Sequence, residues 1–247
     1  MSKNIALRMD DVGASSKEFA IYSKKWFGLA NILFLKRLKY FKAWGPYREI
    51  TSVEWEKILV LLKKHSAKLT VGVTASWVTY EGDLIPFPEK CPSQAQVLKN
   101  GVQDGLIEIA NHGLTHCVLQ QHLFRPKFFS SNRTYHREFW DWLGENLHFY
   151  HIEYSQKILQ EYFECDITTL IPPGNVFSSK TISAAKKNGI KRINCQTTSR
   201  VEDTVNIIGN ENIIDFHDKE IVEVGVSWLE RIIESNLNNK FLFVREL

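Results

Sequence analysis

Along nearly the whole chain, short apolar runs of strand length alternate with longer segments of helical period, and this alternation constrains the fold more than any other feature. Strand-like runs occupy 4–9, 68–74, 106–110, 167–171, 190–194, 205–208, 212–216 and 240–244. Helical segments fall between them, at 93–103, 152–163, 178–188, 226–237 and, most clearly, from residue 51, where Thr51 and Glu54 have capping-box spacing ahead of Ile58, Leu61 and Leu62. Strands that alternate with helices predict a parallel α/β architecture. No Pro/Gly/Ser-rich linker and no internal repeat divides the 247 residues. The expectation is one domain over 1–247, a distorted (β/α) barrel of about seven strands, with its site at the C-terminal ends of the strands.

Composition narrows the classes of function. The chain is 44% hydrophobic, enough for a sizeable core, and its formal charge of +3 is too small to argue for a nucleic-acid partner. Cys91, Cys117, Cys165 and Cys195 are far apart and form no C-x-x-C pair, a poor signature for a zinc ribbon or a disulfide framework. The first residues, "MSKNIALRMDD", reach charge at once without an apolar signal core, and no run of 18 apolar residues occurs. The expected location is therefore cytoplasmic, with reduced cysteines.

Two stretches interrupt the rhythm and read as insertions, near 19–50 and 120–151. In the first, Trp26, Phe27, Ile32, Leu33, Phe34, Leu38 and Phe41 are interleaved with Lys24, Lys25, Lys36, Arg37, Lys39 and Lys42. Such a mixture over 24–44 suits peripheral contact at the inner face of a membrane or a grip on a diphosphate. It suits equally an insertion over the barrel mouth with its lysines in water. The second offers Trp140, Trp142 and Tyr150 as sugar-stacking surfaces or as core. His136, His148 and His151 are not expected to be ligands.

Three strand ends concentrate chemistry: "LRMDDVG" with Asp10 and Asp11, "IANHGLTH" with His112 and His116, and "IIDFHDKE" with His217. Each has a structural alternative. A double Asp commonly caps the next helix, His-x-x-x-His brings two rings together only on a helical turn, and a lone histidine is more often structural. Their common position at one end of the expected strands favours a joint site. Two histidines and a carboxylate are a frequent ligand set for catalytic zinc.

With these residues in place, the sequence resembles the polysaccharide deacetylase family, the metal-dependent carbohydrate esterases with a NodB-homology domain. "RMDDVG" is similar to that family's first motif, "HGLTH" to its second, "IPPGN" (171–175) to its third and "IDFH" (214–217) to its last, in the family's order. The resemblance implies a seven-stranded distorted barrel. It makes Asp11, His112 and His116 the metal ligands, Asp10 the general base and His217 the general acid, with Ile214 lining the acyl-methyl pocket. The implied cofactor is a divalent metal, zinc first, with cobalt, nickel or iron(II) suited to the same donors. The implied substrate is an N-acetylated sugar. The lack of an export signal points to a biosynthetic intermediate on a nucleotide or lipid diphosphate.

Departures from the pattern set further expectations. Ile171 stands where the family has an arginine that orients the base, and Arg8 is the expected replacement, because residues two apart on a strand share a face. The alternative is that Arg8 pairs with a loop carboxylate. Gly113 replaces a Ser/Thr, with a small expected loss of hydrogen bonding beside the ligands. Pro173 and Asn175 are expected either to contact substrate or to shape a turn. The family's fourth motif has no match, which leaves Asp215 and Asp203 as candidate carboxylates beside His217. The rival readings are a non-catalytic glycan-binding relative and a deacylase of a non-sugar amide or an O-acyl ester.

Overall fold

The computed structural model describes residues 2–19, 47–79, 81–119 and 133–247. The 24–44 segment, with the membrane and diphosphate readings placed on it, lies outside the described residues, as does 120–132.

The chain forms β1 (Asn4–Val12), α1 (Ser16–Phe19), α2 (Ser52–Lys64), β2 (Leu69–Val73), β3 (Ser76–Val78), β4 (Leu84–Pro86), α3 (Phe87–Lys90), α4 (Pro92–Gln103) and β5 (Ile107–Asn111). After a 3-10 turn at Arg133–His136 come α5 (Glu145–Phe163), β6 (Thr169–Leu170), α6 (Ser179–Lys187), β7 (Arg192–Asn194), β8 (Arg200–Glu202), β9 (Val205–Ile208) and β10 (Ile213–His217). The chain ends with α7 (Asp218–Val224), α8 (Ser227–Glu234), β11 (Lys240–Leu242) and a 3-10 turn at Val244–Glu246. Among the described residues the main sheet runs β10-β1-β2-β5-β6-β7-β9-β8, with β11 beside the start of β1. Its ladders are parallel except β8–β9, and β3–β4 form a separate hairpin. This is a curled half-barrel in a single mixed α/β domain.

Strand alternation sorts the two faces of the sheet. Ile5, Leu7 and Met9 of β1 join Val71, Ile107 and Ile109 under Trp55, Ile58 and Leu62 of α2, Ala95 and Leu98 of α4 and Leu229 and Ile233 of α8. Burial of each large side chain there contributes about 1.5–3 kcal/mol. Ala6, Arg8 and Asp10 face the other way, into the barrel. At the floor, Thr70 Oγ1 and Thr169 Oγ1 each donate to the Glu108 carboxylate at 2.7 Å. The C-terminal turn closes beneath them, Arg245 N donating to Glu108 and Val244 N to Thr70. Burial pushes the Glu108 carboxyl above its usual range, against these bonds.

The capping box of α2 forms as its spacing predicts: Glu54 N donates to Thr51 Oγ1, and Thr51 N to Glu54 Oε2. One boundary differs. The helix expected over 152–163 begins at Glu145, so the second insertion gives up its last turns to α5. The buried face of α5 includes His148, His151, Ser155 and Gln156, which an apolar period cannot reveal. Three of them are satisfied from elsewhere: Asn111 Nδ2 donates to Ser155 Oγ (2.7 Å) and Gln156 Oε1 (3.1 Å), and His148 bonds Thr181 Oγ1 and Trp140 O.

Candidate metal centre and active site

Consecutive strand residues point to opposite faces, so Asp10 and Asp11 can share a site only if β1 breaks its pleat. It does. Met9 pairs with Val71 and Val12 with Val73, so two residues of β1 oppose Gly72 alone. This is a β-bulge, and Asp11 takes φ of 71° within it. Gly72 in turn leaves room between neighbouring strands. A Cβ there would lie 3.4 Å from both Asp10 Oδ1 and the His112 ring.

Asp11 Oδ1 lies 3.2 Å from His112 Nε2 and 3.1 Å from His116 Nε2. Ligand atoms of the three residues fall within 4.8 Å of one another, and all three are buried. His112 Nδ1 lies 2.7 Å from Ile171 O. A carbonyl only accepts, so Nδ1 carries the proton, and Nε2 is left as the ring nitrogen that faces Asp11. The position without the motif arginine thus contributes its main chain. His116 Nδ1 meets Ser16 Oγ at 3.1 Å. Burial works against ionised Asp11, but His116, His112 and His217 prevail and hold its carboxyl well below the usual range. Burial likewise opposes charge on His112, while Asp11 and Asp10 raise it. The donor set, its burial and the anchored rings fit a divalent ion with positions left open.

Asp10 and His217 are register partners on adjacent strands β1 and β10. Arg8 Nη2 donates to Asp10 Oδ2 at 2.8 Å, while Asp10 Oδ1 is buried with no hydrogen-bond partner among the described residues. The guanidinium also reaches Asn194 Oδ1 (2.5 Å), Asn210 Oδ1 (3.3 Å) and Asp215 Oδ2 (3.4 Å). Arg8 therefore faces Asp10 and a second carboxylate together.

Two expectations are corrected, those for Ile214 and for the carboxylate beside His217. Ile214 pairs in register with Leu7 and packs with the cluster under the helices, on the face opposite Asp215 and His217, so it does not line a pocket beside Asp10. Asp203 sits in the β8–β9 turn facing Lys186 at 3.9 Å, and Asp215 is drawn to Arg8. A carboxylate beside His217 is Glu220, whose Oε2 accepts from His217 N (2.9 Å) and lies 4.0 Å from Nδ1. Pro173 is buried against the Gly113 loop. Asn175 has φ of 58° and accepts from Gln196 N (3.1 Å), the turn-forming alternative.

Of the aromatic candidates, Trp142 and Tyr150 are exposed, Tyr150 stacking on Tyr154, while Trp140 Nε1 donates to Thr134 O. His136 is buried, and neither ring nitrogen has a hydrogen-bond partner among the described residues.

Sequence reasoning missed a buried network next to the site. Lys17 Nζ donates to Asp218 and, at 2.8 Å, to Glu49, and Tyr47 OH donates to Asp218 at 2.9 Å. Burial opposes the Lys17 charge, but Asp218 and Glu49 raise its pKa. A second grouping, His65, Glu230 and Glu234, is only partly buried, and Lys64 already pairs with Glu230.

A curled parallel sheet that gathers a carboxylate and two histidines at the C-terminal ends of its strands places the chain among (β/α)-barrel proteins with a site suited to a divalent ion. A family model described as polysaccharide deacetylase matches residues 45–193, more than half of the chain, and the chain belongs to that family. The matched span contains His112, His116 and the 171–175 turn; Asp10, Asp11 and His217 join them through the fold. Solved structures agree in fold at low identity. The Xyl-CE4 domain of a multidomain xylanase from the hindgut metagenome of Trinervitermes trinervoides superposes with a TM-score of 0.53 at 15% identity, covering 100% of this chain and 89% of that one. A family 4 acetyl xylan esterase from Clostridium thermocellum, solved with cobalt, gives 0.52 at 13%, covering 99% and 89%. A CE4 family pseudoenzyme from Bacillus anthracis gives 0.54 at 13%, covering 100% of this chain and 65% of that one. The search of curated proteins found no match.

Proposed function

We propose that the protein is a divalent-metal-dependent deacetylase that hydrolyses the acetamide of an N-acetylated sugar. The observation that carries this reading is the convergence of Asp11, His112 and His116 beside Asp10, whose Oδ2 is held by Arg8 and whose Oδ1 is buried without a partner among the described residues. Asp11, His112 and His116 would hold the ion, which when bound polarises an acyl carbonyl and acidifies water. Asp10 Oδ1 takes the proton from the attacking water, and the Arg8 bond fixes the carboxylate in place for that transfer. His217, across the β1–β10 ladder from Asp10, protonates the amine as it leaves. Glu220 Oε2 lies 4.0 Å from His217 Nδ1 and accepts from its main-chain N, which orients the strand end that carries the ring.

The Bacillus anthracis pseudoenzyme supports a second reading, a barrel that binds glycan without turnover. The Arg8–Asp10 pair argues against it, because it gives the base the cation absent at Ile171. Acetate release from N-acetylated oligosaccharides, a nucleotide-linked N-acetylhexosamine and an O-acetylated xylan, with Asp10→Asn as control, tests the proposal. Release from an N-acetylated substrate, lost in the control, supports it. Release only from the O-acetyl ester moves the assignment to an esterase, and no release from the panel favours the binding protein.

A further inference from the structure

Glu138 follows the 3-10 turn at Arg133–His136, and its side chain is fully buried, with no lysine or arginine paired to it among the described residues. Its carboxylate accepts three consecutive main-chain N–H groups of the ligand loop: Leu114 N at 2.8 Å, Thr115 N at 3.2 Å and His116 N at 3.1 Å. His151 Nδ1, from α5, supplies the fourth contact. Successive N–H groups that converge on one anion form a nest, whose curl depends on the anion at its centre. The backbone shows that curl: Gly113 has φ of 81° and His116, a non-glycine residue, φ of 57°. A Cβ on Gly113 would stand 1.9 Å from Glu138 Oε2, so the missing side chain at 113 is the space that the carboxylate fills.

We infer that Glu138 is a positioning residue for the metal site: its carboxylate sets the 113–116 loop and so aims the His116 ring. His116 is then held at two points, its main-chain N by Glu138 and its Nδ1 beside Ser16 Oγ. Glu138 is no ligand; it acts through His116. A neutral amide at 138 cannot serve as the same anchor, since its NH2 turns a donor toward donors. Groups that orient ligands in this way change metal affinity by about 10–100-fold when altered.

This inference rests on the metal reading above, and cobalt titration separates the two. Cobalt(II) added to apo wild type and apo Glu138→Gln gives a Kd and a visible absorption spectrum for each, with the apo melting temperature recorded alongside. The expected result is wild-type binding and a folded Glu138→Gln that binds about 10–100-fold more weakly with an altered spectrum. A Glu138→Gln variant that melts lower but keeps the wild-type Kd and spectrum makes Glu138 a core group only and overturns the inference while leaving the metal site standing. A wild-type chain that binds no cobalt overturns both. If Glu138→Gln does not fold, Glu138→Asp carries the test. Its carboxylate, withdrawn by one methylene, is expected to weaken binding about 10-fold, and unchanged binding overturns the inference.

Discussion

Arg8 Nη2 donates to Asp10 Oδ2 at 2.8 Å from two positions along the same strand, and Asn194 and Asn210 hold the guanidinium from the opposite side of the barrel. The fork of donors engages several acceptors at once, which a lysine ammonium on a flexible stem cannot reproduce. Arg8→Met is expected to lower kcat about 100-fold and to leave metal content unchanged, because none of the three proposed ligands contacts Arg8. Arg8→Lys is expected to fall between the two. Steady-state deacetylation beside elemental analysis checks this; full activity in Arg8→Met would remove the arginine from the mechanism.

Lys17, in α1 just after β1, ties that segment to the first residue of α7, directly after His217. Both Lys17 and Asp218 are buried, so Lys17→Met strands a carboxylate in the interior. The expected cost is about 3–5 kcal/mol, read as a lower urea midpoint. A midpoint within error of wild type would contradict the ion pair.

His136 gives a pH dependence with a definite sign. Burial, with His116 adding repulsion, lowers its pKa to about 3, so the folded protein holds it neutral where the unfolded chain takes up a proton. Between pH 6.5 and 3 the unfolded state binds more protons, and wild type loses stability as pH falls. His136→Phe should escape this term, so its stability relative to wild type should rise as pH drops through that window, by an amount on the order of a few kcal/mol near the bottom. A constant difference across pH would contradict the buried neutral ring.

Gly72 separates the proposed base, Asp10, from a proposed ligand, His112. A single Cβ at 3.4 Å from Asp10 Oδ1 and the His112 ring is ordinary contact, so Gly72→Ala should keep metal and most activity. Gly72→Leu should force Asp10 and His112 apart at a cost of about 1–3 kcal/mol, losing activity and metal together. Full activity in the leucine variant would show the space to be larger than described.

How much of this was legible in the sequence follows from which interactions carry a local pattern. Strands β1, β5 and β10 are readable from alternation, and the same alternation aligned Arg8 with Asp10. It also excludes Ile214 from their face, because Ile214 is one residue out of step with Asp215 and His217. The β-bulge at Asp11 leaves no mark, since it depends on pairing with Gly72 across the ladder. Glu138 was invisible for a related reason: its partners are main-chain N–H groups, which nearly every residue has, and a histidine from a helix whose buried face is largely polar. The Lys17–Asp218 pair joins positions 201 residues apart that only the pairing of β10 with β1 brings together.

The most direct test of the central claim is the divalent-metal content of purified wild type beside the His112→Ala, His116→Ala double variant. About one ion per chain, lost in the double variant, is the result the account predicts. A wild-type protein that is metal-free and takes up no zinc, cobalt or nickel would contradict it.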